Sequence, residues 1–439
     1  MFEIIEKLKL IKLLVKLISL GKLFKETGIF VSAQLAKKPT SSRYRVLDTI
    51  RRHPNISRVE LATLTDFSRA TVTGITQSLL DNHLIIETPS IDSNEGGRGR
   101  PRKMLDINSE AGFVLGIKLS LHQMSFSVTN FKGDVVHTMH LPFRGNQNYE
   151  VTLDIVEIGV QRCLKKAEIK QEKISGVCIG IPGYVSHETG MCHWSPIFTE
   201  RDIPVAQLLQ ERLGVRVFIE NDANLITLAE HWFGEGKDLS CFAVVTVEHG
   251  IGMGLVVDDD LYRGTNGIGP ELGHSKVEID GKPCRCGQLG CVEAYASDYA
   301  ILREADVEFS LQAYNENPKA YHDTITKITE QARDGDVHLS SVFAEAGKRL
   351  GQAVANMIAI LNPQAVIFTG DGMRAGDILT KPAIEEARRL KLSGDENETE
   401  FVTHVWGDEV WARGAAALTL QHIYAEPEEK QNTSAKATG

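Results

Sequence analysis

The 439-residue chain is poor in cysteine and has no long run of uncharged apolar residues. Each scarcity excludes something. Seven cysteines, three of them between positions 284 and 291, do not form the dense disulfide framework of a small secreted scaffold, and the pattern suits a reducing, cytoplasmic setting. Through residues 1–36, leucines and isoleucines are interleaved with Lys7, Lys9, Lys12, Lys16, Lys22 and Lys25. No stretch there approaches the roughly 18 apolar residues of a membrane span. The unbroken apolar core and small-residue cleavage site of a signal peptide are missing too. Three readings stay open for this segment: a basic amphipathic helix on a membrane or partner, a helix packed on the next domain, or an extension from an upstream start codon.

What is present points to several domains. The length exceeds a single compact core, and an apolar fraction of 42% is ordinary for a globular protein. The net charge of -10 conceals an asymmetry: residues 1–105 hold 18 Lys and Arg against 10 Asp and Glu, a balance of +8, which leaves -18 for the remainder. The basic end is the place for nucleic acid.

Residues 37–107 read as a winged helix-turn-helix. Tyr44, Val46, Leu47 and Ile50 lie at helical spacing. After His53-Pro54-Asn55, Ser57 is expected to cap a second helix with Val59, Leu61 and Leu64. Ser68 is expected to cap a third, with Val72, Ile75, Leu79 and Leu80 toward the core. The opposite face presents Arg69, Thr71, Thr73 and Gln77, and with Ser68 these are candidate base readers in a major groove. Two short apolar runs, 84–87 and 103–107, flank Arg98, Arg100 and Arg102. Arginines set among glycine and proline form a thin positive arm suited to a minor groove, although a linker explains the same composition.

From about Ala111 the pattern becomes α/β, with apolar strands over 113–119, 124–129, 135–141 and 174–181 and a helix over about 150–168. A comparable order begins again after Phe242. Long helical spacing runs from Phe343 to Leu361, and 415–424 reads as a closing helix.

Between His249 and Glu293 lie a glycine-rich turn, Gly250-Ile-Gly252-Met-Gly254, and four soft or borderline ligands: His274, Cys284, Cys286 and Cys291. Four protein ligands are what a closed tetrahedral structural zinc uses, and the two glycines suit a tight knuckle. One Zn2+ per chain is therefore expected. Ordinary buried thiols beside an unrelated histidine are the bland alternative.

These motifs carry a resemblance. Val247-x-x-Gly250-Ile-Gly252-Met-Gly254-Leu255, then Gly264, Pro270, Gly273 and His274, then Cys-x-Cys-Gly-x-x-Gly-Cys-x-Glu, are similar to the signature of the ROK family, which joins sugar kinases to sugar-responsive repressors. The resemblance covers about residues 36–425. It implies an actin-like, ribonuclease-H-like body of two lobes, 108–241 and 242–425, around a cleft, with a polar tail over 426–439. It also implies sugar-binding roles for Asn221, Asp222, Glu271, His274 and Glu293, with the zinc orienting His274; the alternative is that these residues cap helices or pair internally. In the family's kinases the first strand ends in an Asp and a Gly-Gly-Thr loop. Here the corresponding positions hold Lys118, Ser120, Leu121 and His122, and leucine in place of glycine denies the close backbone approach that phosphate needs. Kinase chemistry is therefore expected to be lost.

The resulting expectation is a homodimeric, possibly tetrameric, repressor of carbohydrate genes. Its partners would be operator DNA and a sugar, a sugar phosphate or a phosphotransferase-system protein. The rival reading is a hexose kinase with an added DNA-binding domain.

Overall fold

The computed structural model describes residues 41–89, 103–265, 267–307, 317–392, 398–406 and 410–425. The N-terminal extension, the arm with Arg98, Arg100 and Arg102, and the polar tail lie outside these residues.

Helix α1 (Ser42–Arg52) is capped by Ser41, which accepts from the Tyr44 N–H, and it buries Val46, Leu47 and Ile50. A two-residue strand, β1 (Ile56–Ser57), leads into α2 (Arg58–Thr65), whose start is fixed by a reciprocal capping box between Ser57 and Glu60. Here the sequence expectation needs correcting. Leu61 is inside, but Val59 and Leu64 are 48% and 54% exposed. The inward stripe of this short helix runs through Leu61 and Thr65, four residues apart, and positions 59 and 64 fall off it. Helix α3 (Arg69–Asp81) follows, with Ser68 as its cap, and buries Val72, Thr76 and Leu79. Strands β2 (Ile85–Pro89) and β3 (Lys103–Ile107) pair antiparallel, and with β1 they form a small sheet in the order β1-β3-β2.

The body contains two five-stranded sheets of matched design. In the first, β4 (Phe113–Leu119), β5 (Gln123–Asn130) and β6 (Val135–Pro142) form a meander. After α4 (Tyr149–Ala167), β7 (Ile174–Ile181) joins parallel to β4. A small hairpin, β8 (Tyr184–Ser186) with β9 (Met191–Trp194), and helix α5 (Val205–Leu213) precede β10 (Val217–Asn221), which extends the sheet beside β7. The chain then crosses between the lobes on α6 (Asp222–Phe233).

The second sheet repeats the plan with β11 (Phe242–Val247), β12 (Ile251–Val257) and β13 (Asp260–Leu261). Short helices α7 (Glu293–Ala296) and α8 (Asp298–Glu304), then α9 (Pro318–Arg333) and α10 (Val337–Leu361), precede β14 (Ala365–Thr369), α11 (Asp377–Leu390) and β15 (Glu400–Thr403). Helix α10 starts six residues before Phe343, where the apolar spacing begins, because Asp336 accepts from the Leu339 N–H and caps the chain there.

The closing helix α12 (Val410–Ala425) departs from its place in sequence. Chain order groups it with the second lobe, yet it lies against α6, against β4 and β7 of the first sheet, and against α1. The reason is its composition: it is apolar on nearly every face and needs partners all round. One core therefore joins Leu47 and Leu105 of the winged helix, Leu225 and Trp232 of α6, and Leu418 and Tyr424 of α12. Among the described residues no helix is long and apolar enough to cross a membrane.

Candidate ligand cleft and nucleic-acid interface

A cleft of about 820 Å³ opens between the lobes, lined among others by Lys118, Asn221, Asp222, Glu271, His274 and Glu293. All five residues singled out as sugar ligands face it, but they are not equally available. Asn221 caps α6: its Oδ1 accepts from the Ala223 and Asn224 N–H groups at 2.9 and 3.3 Å, and its Nδ2 donates to the Gly183 carbonyl at 3.1 Å. Much of its hydrogen-bonding capacity is thus used within the protein. Asp222 stands at the first turn of the same helix and lines the cleft. Desolvation, followed by the nearby charges of Asp222 and Glu293, pushes the Glu271 carboxyl up to about 7; its side chain nevertheless stays accessible from the cleft.

Glu293 is buried and engaged. It accepts from the Ile251 N–H at 3.3 Å and pairs with Arg285 at 3.1 Å. A Cβ at Gly250 would sit 2.7 Å from the Glu293 carboxylate and 3.0 Å from Arg285, so this glycine of the turn lets the ion pair close against the backbone.

The four expected metal ligands come together. The ligand atoms of His274, Cys284, Cys286 and Cys291 all lie within 4.8 Å of one another. Cys284 Sγ is 3.7 Å from His274 Nδ1, and Cys286 Sγ is 3.7 Å from Cys291 Sγ. A tetrahedral ion with bonds of about 2.3 Å to sulfur separates its ligands by about 3.7 Å, so the donor set and its spacing fit such an ion. Lys276 Nζ lies 2.9 Å from Cys291 Sγ, at the edge of this cluster.

Several contributors escaped the sequence reading. Glu220, buried, accepts from Arg263 at 2.6 Å, from Asn224 Nδ2 at 2.9 Å and from the Asn221 N–H at 2.9 Å. Burial is the largest single influence and opposes its ionisation, but the Arg263 and His187 charges and the hydrogen bonds from Asn224 and Arg263 together outweigh it and hold the carboxyl below its usual value. This anchors the turn that presents Asp222. Asn221 and Asp222 were legible in the sequence, but the Glu220–Arg263 pair behind them was not. On the other side of the cleft, desolvation pushes the Glu248 carboxyl up to about 7, with Lys118 opposing and Asp371, Asp222 and Asp298 reinforcing. His249 pairs with the Tyr321 hydroxyl at 2.9 Å.

On the N-terminal three-helix unit, Ser68 before α3 and Arg69, Thr71, Thr73 and Gln77 along it are all exposed. Their local bonds sort them. Ser68 Oγ caps the helix and contacts Thr71 Oγ1 at 2.8 Å; Thr73 Oγ1 donates to the Arg69 carbonyl at 2.8 Å; and Gln77 Nε2 donates to Asp81 at 2.9 Å.

Two matched α/β lobes around a polar cleft define the class: an actin-like, kinase-fold body, here sharing its core with a three-helix winged unit. A model of the ROK family matches residues 114–422, and the chain belongs to that family. It is 30% identical over 350 residues to a putative xylose repressor of Caldicellulosiruptor sp. (strain Rt8B.4), covering 79% of this chain and 86% of that one. It is 28% identical over 344 residues to the DNA-binding transcriptional dual regulator NagC of Escherichia coli (strain K12), covering 78% and 82%. A solved structure of a ROK family transcriptional regulator, a homologue of the E. coli MLC protein, superposes with a TM-score of 0.73 at 27% identity, covering 87% of this chain and 96% of that one.

Proposed function

We infer that the protein is a sugar-responsive, DNA-binding transcriptional repressor whose body is a degenerate sugar kinase. The observation that carries this reading is the seating of the winged helix. Its exposed α3 edge faces solvent, while its core is continuous with α6, whose first turn stands in the cleft. A ligand that shifts α6 relative to the lobes therefore changes how α3 is presented, which is a coupling between two sites. The repressor relatives support the same reading.

In this reading Arg69 and Gln77 read base edges and Arg98, Arg100 and Arg102 enter a minor groove. Asp222, Glu271 and His274 take sugar hydroxyls, with Asn221 and Glu293 fixing the walls. His274, Cys284, Cys286 and Cys291 hold a structural zinc, which would supply a rigid mount for His274. A two-fold operator calls for a homodimer built by the body.

Loss of kinase chemistry rests on the β4–β5 turn. The Ser120 N–H donates to the Gln123 carbonyl at 3.0 Å and the Gln123 N–H to Ser120 Oγ at 3.3 Å. The turn spends these backbone groups on its neighbours, and the Lys118 cation stands where the family's kinases carry an acid.

The test is anisotropy of operator DNA selected with the purified protein, titrated with xylose, N-acetylglucosamine and their phosphates, alongside an ATP hydrolysis assay. DNA binding relieved by a sugar, without hydrolysis, is expected. Sugar-dependent hydrolysis would instead establish the kinase reading, and silence toward every sugar would move the effector role to a protein.

A further inference from the structure

The cleft is larger than its charged set requires. Asp222, Glu271 and His274 line the cleft, and so do Tyr184 and Trp194 of the β8–β9 hairpin with Thr199 and Arg201 beyond it in sequence. At about 820 Å³ it lies high in the range of pockets that enclose drug-sized ligands, and a single sugar ring leaves much of that space to water.

The hairpin end is built, not incidental. Trp194 is 37% exposed, and the Tyr184 ring stands 5.5 Å from it, inclined by 48°. Both rings are tied to the turn that presents Asp222. Gly183, at φ +110°, brings its Cα beneath the Trp194 carbonyl, where a Cβ would come within 2.4 Å; the Gly183 carbonyl in turn accepts from Asn221 Nδ2 at 3.1 Å. From the opposite lobe Gly267 packs against the same hairpin, with space for no Cβ beside the Val185 carbonyl at 2.9 Å. The aromatic pair is thus positioned from both lobes, and exposed Thr199, Arg201 and Asn146 border the same end of the cleft.

We propose that the cleft takes a disaccharide, one ring held at Asp222, Glu271 and His274 and the next lying on Trp194 and Tyr184. This rests on the reading of the cleft as a sugar site. The chemistry is that of carbohydrate recognition. A pyranose has an apolar face of C–H groups that packs on the electron-rich face of an aromatic ring, while its rim of hydroxyls takes hydrogen bonds from groups such as the Thr199 hydroxyl and the Arg201 guanidinium. Stacking on a held aromatic costs little side-chain entropy, so the second ring adds affinity without reorganising the site.

The experiment is calorimetric titration of the full chain with xylose, glucose and N-acetylglucosamine, and with xylobiose, cellobiose, maltose and diacetylchitobiose. One disaccharide is expected to bind at least about tenfold more tightly than its own monosaccharide, as loss of a central aromatic anchor commonly costs that much or more. Trp194→Ala should erase that margin while leaving monosaccharide affinity unchanged, and Trp194→Phe should retain most of it. Since Trp194 is at the surface, circular dichroism and the unchanged monosaccharide affinity report that the variant is folded; Trp194→Leu serves as the second variant if alanine is not tolerated. Equal affinities for mono- and disaccharides, or a margin that survives both substitutions, overturn the proposal and leave the sugar site standing. If no sugar binds at all, the sugar site and the proposal fall together.

Discussion

The guanidinium of Arg51 lies 4.0 Å over the Trp232 ring and donates to the Trp232 carbonyl at 2.9 Å. Arg51 belongs to the first helix of the winged unit, and Trp232 to the last turn of α6, whose other end is capped by Asn221 in the cleft. Asp48 completes the contact by pairing with Arg51 at 2.7 Å and Arg52 at 2.9 Å. Replacing Arg51 with methionine keeps its bulk but removes the charge. It should cost about 1.5–3 kcal/mol, the worth of a hydrogen bond to a charged group. The readout that matters is function: DNA affinity should be largely retained, whereas the sugar-induced change in that affinity should shrink. An unchanged sugar response in anisotropy would sink the idea that this contact transmits it.

Acid sensitivity should localise to the same interface. Burial, then the positive charges of Arg52 and Arg51, push the His231 imidazole down to about 4, with Asp48 opposing. Its folded value lies below the unfolded value of about 6.5, so the unfolded chain binds more protons as pH falls between the two. Stability is full above about 6.5 and declines toward about 4, by about 3 kcal/mol for this group. Neither ring nitrogen has a hydrogen-bond partner, so His231→Phe should be nearly neutral at pH 8 and less destabilised than wild type at pH 5. Denaturant titrations at the two pH values compare them.

Metal content gives a third check. The purified protein should carry about one zinc per chain, and Cys284→Ala or Cys291→Ala should lose it. Because Cys284 lies 3.6 Å from Glu293, the loss should loosen the Arg285–Glu293 pair and weaken sugar binding along with it. Elemental analysis and titration of the same samples test both halves; full metal occupancy in the variants would remove these cysteines as ligands.

Gly414→Ala probes the seating of the closing helix. A Cβ there would stand 1.9 Å from the Leu225 carbonyl of α6, a backbone atom that cannot rotate away. Overpacking of this kind costs about 1–3 kcal/mol, despite the gain in helix propensity that alanine brings. A lowered denaturant midpoint is expected, and a raised one would mean that the two helices part easily.

On DNA, Arg69→Ala should relax sequence preference by about 1–3 kcal/mol at one base position, while Arg100→Ala should weaken binding to all sequences and reduce the slope of affinity against salt by about one phosphate contact. Competition binding at several salt concentrations separates the two behaviours.

Local signals in the sequence located the first three helices, four of the five strands of the first sheet, and the long helix α10. Ser57 and Ser68, each ahead of apolar helical spacing, marked helix starts, and the largely apolar run of 113–119 marked β4. The His/Cys set was readable because its ligands are close in sequence. What escaped depends on distant partners. Nothing local says that Arg263 reaches Glu220 across 43 residues, or that α12 leaves its own lobe to lie on the first sheet. Val59 and Leu64 misled because an eight-residue helix is too short for apolar residues alone to define one face. Trp194 and Tyr184 were silent because an aromatic residue in a loop-rich stretch reads equally as core or surface.

The seating of α12 against α1 has a consequence for biosynthesis. The winged unit is synthesised before the body, and the helix that packs on its flank is made about 300 residues later, on the order of half a minute at ordinary translation speeds. Until then Tyr44, whose ring meets the Tyr424 ring of α12 at 6.4 Å in the finished protein, lacks that neighbour. The N-terminal unit is thus assembled on its scaffold only after the second lobe has emerged, and a chain truncated before residue 410 would carry that unit with an open apolar flank.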